Sequence, residues 1–137
     1  MKKIIVFLTM MVMAVATVSA RPKMYSERKT QIEYEEAYSK YNRVYEKYEK
    51  AYDAYKTAYD KYVEACKKYE EYLPVYEADT KNPTVVRKMS VYYKSYKFCK
   101  DDLTRKEYAL EKAQKKLDKA KQVFDEKNAA LKVNKEK

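Results

Sequence analysis

The chain has 137 residues, 38% of them charged and 15% aromatic, with 31 Lys and Arg against 21 Asp and Glu for a formal net charge of +10. It contains no glycine, histidine or tryptophan, which removes glycine-rich phosphate loops, histidine bases, Ser/His/Asp triads and histidine metal sites together. No enzymatic activity, cofactor or metal is therefore expected, and seventeen tyrosines with only three prolines describe a long solvated helix rather than a compact mixed fold.

The first element is an export signal. Met1-Lys2-Lys3 forms a positive n-region, Ile4 to Val18 an uncharged apolar run, and Val18-Ser19-Ala20 a small-residue cleavage pattern, so residues 1–20 read as a secretory signal peptide cut after Ala20. The run falls short of the ~20 apolar residues a spanning helix needs, and no cysteine follows the cut to carry a lipid. The mature form, residues 21–137, is expected not to span a membrane. Removing Lys2 and Lys3 from the 31 cationic residues leaves 29 against 21 acidic ones. In an exported protein that excess suits anionic cell surfaces, and no nucleic-acid partner is expected. The expected location is the cell surface or medium, with the periplasm as the other compartment.

The second element is a heptad. Tyr34, Tyr38, Tyr41, Tyr45, Tyr48 and Tyr52 are spaced alternately four and three, and the pattern continues through Tyr55, Tyr59, Tyr62, Cys66, Tyr69, Leu73 and Tyr76. Side chains three and four apart share a helix face, and a sustained repeat of 3.5 residues requires a partner helix. Small residues flank the stripe at Ala37, Val44, Ala51, Ala58 and Ala65. The repeat predicts a helix over about 26–78, with Pro74 kinking or ending it.

The segment Glu77 to Thr84 has turn chemistry near 79–83, with Asn82 suited to a helix N-cap and Pro83 to the first helical position. Heptads resume at Val85, Met89, Tyr92, Tyr96, Cys99, Leu103 and onward through Leu110, Leu117, Phe124 and Leu131, predicting a second helix over about 83–132. So short a connection makes the helices antiparallel. The fold class expected is all-α: a two-helix antiparallel coiled-coil hairpin forming a single domain.

Opposing positions whose numbers total 165 would match heptad to heptad, setting Cys66 against Cys99, Tyr69 against Tyr96 and Tyr41 against Phe124. In an exported chain without histidine, a Cys66–Cys99 disulfide is then favoured over a thiol or metal pair. Closing a loop of about 33 residues would stabilise by ~3–4 kcal/mol. The same register sets Lys106 and Lys127 against Tyr59 and Tyr38, as cation–π pairs. Charge agrees with an antiparallel pair: residues 34–79 hold 8 basic and 11 acidic side chains, residues 81–137 hold 17 and 8.

Tyrosine is an unusual seam residue, because a two-stranded core is narrow and each phenol hydroxyl needs a partner or water. Many rings should therefore lie half-exposed. Large rigid phenols are adhesive toward proteins, so Tyr34, Tyr38, Tyr41, Tyr45, Tyr48 and Tyr52 near the open end are the candidate binding or assembly residues.

After the turn, Tyr92-Tyr93-Lys94-Ser95, the Lys/Glu/Ala/Leu-rich helix that follows, Phe124 and Ala130-Leu131-Lys132 resemble the FadA family of bacterial adhesins. The resemblance covers about 45 residues beside the shared architecture. It implies a surface-exposed adhesin whose hairpins self-associate end to end and bind host-cell surface receptors. The chain departs from that family in having tyrosines where the family has leucines, and in its cysteine pair. The alternative function is a periplasmic chaperone of the Skp/OmpH type, although no strand-rich trimerisation segment is evident.

Overall fold

The computed structural model describes residues 25–136; the signal segment and its cleavage after Ala20 lie outside the described residues. Two α-helices of 54 residues each, α1 (Tyr25–Ala78) and α2 (Pro83–Glu136), pack against each other as an all-α hairpin. At 1.5 Å per residue each is about 80 Å long.

The turn forms as its residues dictate. Asn82 N–H donates to the Asp79 carbonyl at 3.3 Å, and its Nδ2 donates to Asp79 Oδ2 at 3.1 Å. The Asn82 Oδ1 accepts the Thr84 N–H at 3.0 Å while its carbonyl accepts the Val86 N–H at 3.0 Å. Asn82 is thus the N-cap of α2 and Pro83 its first residue, where a missing N–H costs nothing. Replacing Asn82 by alanine should cost ~1 kcal/mol. That loss would appear in a denaturant titration as a lower midpoint at unchanged slope.

Pro74 lies inside α1 and does not end it. The residue is exposed, and only one turn of helix follows, so little continuing structure depends on the hydrogen bond it cannot donate.

Heptad patterning brings the helices together, but half a heptad away from the expected register. Phe124 touches Tyr41, as expected, at 5.6 Å between ring centroids, yet it also touches Tyr34 at 5.5 Å and Tyr38 at 5.7 Å. Tyr96 lies 5.3 Å from Tyr69 and 5.9 Å from Tyr62. Phe124 and Tyr96 are therefore each wedged between tyrosines one heptad apart, centred on an intervening alanine, Ala37 or Ala65. Burial agrees, since on α1 the buried side chains are Ala37, Ala58 and Ala65, and on α2 they are Met89, Leu110, Leu117, Ala120 and Leu131. The floor of the seam is the small-residue column of α1, with tyrosines as its wall.

This shift corrects the cysteine expectation. Cys66 and Cys99 are free, half-buried thiols that stand apart, and no bridge joins them. The centring of Tyr96 between Tyr62 and Tyr69 puts a ring, not a thiol, at the level of Cys66. The hairpin is held instead by packing and by contacts at its open end. There Lys127 Nζ donates to Glu33 Oε2 at 2.8 Å and Asn134 Nδ2 donates to Thr30 Oγ1 at 3.0 Å. Lys127 therefore pairs with a carboxylate rather than with Tyr38. Among the described residues the cation–π contacts lie near the turn and not at Lys106 and Tyr59, with Lys88 5.2 Å from the Tyr72 ring and 5.9 Å from Tyr92.

Candidate interaction surface

A tyrosine every three or four residues on a straight helix forms two parallel columns. The inner column (Tyr34, Tyr41, Tyr48, Tyr55, Tyr62) leans toward α2 and is half-buried. The outer column stacks on it at one-turn spacing: Tyr34–Tyr38, Tyr41–Tyr45, Tyr48–Tyr52 and Tyr55–Tyr59 have centroids 6.2 to 6.4 Å apart. Such ring pairs contribute ~0.5–1.5 kcal/mol each beyond burial. Side chains at i and i+4 meet on one face, so the ladder follows directly from the four-three spacing.

The structure divides the six candidate residues. Tyr38 and Tyr52 are 44% and 40% exposed, whereas Tyr34, Tyr41, Tyr45 and Tyr48 are half-buried. Burial, aided by Asp125, holds the Tyr41 phenol above its ordinary value, and burial with Glu49 does the same for Tyr45. Burial is also the main cause of the upward shifts at Tyr48 and Tyr55. At Tyr62 the first cause is hydrogen bonding to Cys66, then to Tyr96. These phenols are neutral donors with aromatic faces, suited to recognition rather than to proton transfer.

Four exposed rings fell outside the candidate set, one of them Tyr93, at 49% exposure and 6.0 Å from the Tyr69 ring. Tyr59, at 46% exposure, continues the outer column, and the heptad alone could have included it. Phe98 and Tyr108, at 66% and 68%, lie on the far side of α2. Their signal is an aromatic residue off the heptad, in a position where the repeat calls for a polar one.

Among the described residues, no group of three or more Cys, Asp or Glu is placed to hold a metal, and no helix is long and apolar enough to cross a membrane. Two surface depressions, one on α1 around Ile32 and Arg43 and one across the seam around Ala58 and Lys106, are shallow and open. Fold and surface together define an antiparallel helical hairpin with an aromatic ridge along its length. No known protein-family model matches the chain, and no curated protein or solved structure is detectably similar to it.

Proposed function

We propose that this protein is an exported adhesin or self-assembling envelope protein that binds protein partners through the tyrosine ridge of α1. The resemblance to the FadA family supports host-cell surface proteins as those partners. The observation carrying the proposal is the outer phenol column, in which each ring is braced by a neighbour at 6.2 to 6.4 Å while Tyr38, Tyr52 and Tyr59 stay 40 to 46% exposed. A braced ring offers large contact area with little side-chain entropy left to lose, as in antibody paratopes.

The test replaces Tyr38, Tyr45 and Tyr52 with leucine. Leucine keeps the apolar character and the helix while removing the phenol and three ring stacks, so helicity should persist at a lowered melting temperature. Adhesion to host cells should fall roughly tenfold or more, as expected when binding hot spots are lost. Undiminished adhesion would reduce the ridge to packing. Protease treatment of intact producing cells should degrade the protein; protection by an intact outer membrane would favour the periplasmic chaperone instead.

A further inference from the structure

The face of α2 turned away from α1 breaks the rule that outward heptad positions are polar. Val91, Phe98 and Tyr108 are 64%, 66% and 68% exposed, and no other large apolar side chain among the described residues is as open as the last two. They interleave with Lys94, Arg105 and Lys112 at the four-three spacing that places them on one stripe. Following that spacing from 87 to 119, the stripe holds six cationic residues and one acidic residue. Arg105 has an intrahelical contact with Asp102 at 3.7 Å, but its side chain is 68% exposed and remains accessible to a partner.

The outward face of α1 has the opposite character. From 35 to 70 the corresponding positions hold six carboxylates and two lysines. Glu46, Asp53 and Asp60 recur every seven residues, all exposed, and Val63 is 47% exposed on the same side. These faces point in opposite directions across a pair of helices, each about 10 Å in diameter. One molecule cannot join them to each other.

We infer that the outer stripe of α2 docks on the outer face of α1 of a second copy of this chain. Hairpins would thereby associate side by side, with Phe98 and Tyr108 covered and the charges complementary. The pairing joins two different surfaces, so it does not close after two subunits and extends as a lateral array. Apart from Glu49, which hydrogen-bonds Tyr45 at the ridge edge, it uses residues off the tyrosine ridge and does not depend on the adhesive role proposed for that ridge.

Two charge-reversed variants test the docking, using the protein as recovered from expressing cells. One carries Lys94→Glu, Arg105→Glu and Lys112→Glu; the other carries Glu46→Lys, Asp53→Lys and Asp60→Lys. By sedimentation velocity the parent should associate at low salt and do so less in about 0.5 M salt. Each variant alone should associate roughly tenfold more weakly or worse, and their equimolar mixture should regain association because the reversed faces match. Neither set touches the seam, so circular dichroism should show unchanged helicity. An uncharged variant, Phe98→Ser with Tyr108→Ser, should show the same loss should charge reversal disturb folding. The Tyr38, Tyr45 and Tyr52 leucine variant should associate laterally like the parent, which separates failure here from failure of the ridge. A parent that stays monomeric, a mixture that does not recover, or a monomer whose α2 stripe instead binds phosphatidylserine vesicles would each overturn the docking.

Discussion

Raising the pH above about 10, the ordinary value for tyrosine, should unfold the hairpin cooperatively. Tyr41, Tyr45, Tyr48 and Tyr55 are shifted up chiefly by burial, and Tyr62 chiefly by its hydrogen bonding to Cys66 and Tyr96. Below the ordinary value both folded and unfolded chains keep these protons. Above it the unfolded chain releases them first, so the folded state holds more protons and stability falls as pH rises. Lys127 and Lys68 act in the same sense, because Glu33 and Glu64 raise them and their contribution is lost as pH climbs through the raised values. At the acid end Glu33 and Glu64, lowered by those lysines, lose their contribution as pH falls below about 4.5. Only surface pairs are involved there, so the effect should be small. Helicity and phenolate absorbance followed together should show the fraction of phenolate from these five rings delayed and then concurrent with helix loss. Phenylalanine at positions 41, 48 and 55 should move the alkaline midpoint upward. Phenolate formation completed near pH 10 with the helices intact would show that the seam does not shield these rings.

The contrast between what the heptads disclosed and what they concealed has a physical cause. A 3.5-residue repeat specifies which face of each helix is apolar, and Asn82-Pro83 specifies where the chain turns; both are local, and both are realised in the structure. Register is not local. The tyrosine column and the alanine column both repeat every seven residues, so either one set opposite the α2 heptads preserves the pattern. Relative volume decides between them. Phe124 and Tyr96 fit over Ala37 and Ala65 with tyrosines on both sides, whereas the other register would set those two rings directly on Tyr41 and Tyr69 and force the helices apart there. Two cysteines on matching positions, and large side chains facing small ones, favour the other register in sequence, but neither signal carries the volume of the rings that must fit between the helices. Outward residues of α2 such as Phe98 carried a signal, since they violate the polar pattern, but periodicity alone assigns them no role.

Enlarging Ala58 to leucine should therefore be among the most damaging single changes in the seam. Ala58 is the most buried side chain among the described residues, at 3% exposure, and lies in the buried small-residue column of the seam. Added carbons must part the helices locally or be driven out into the shallow open depression beside Ala58, at a cost of ~1–3 kcal/mol. Leucine is as good a helix former as most residues, so any loss reports on packing. The melting temperature should fall by several degrees for each kcal/mol. Since Tyr96 is centred on Ala65, the residues one heptad away on each helix place Leu103 opposite Ala58. Leu103→Ala alone should also destabilise, by removing the partner side chain. The double variant exchanges large and small across the seam and should be more stable than the two losses added together, with a coupling of at least ~0.5 kcal/mol. Additive losses would mean that Leu103 faces Tyr62 instead, and that the tyrosines rather than the alanines form the floor of the seam.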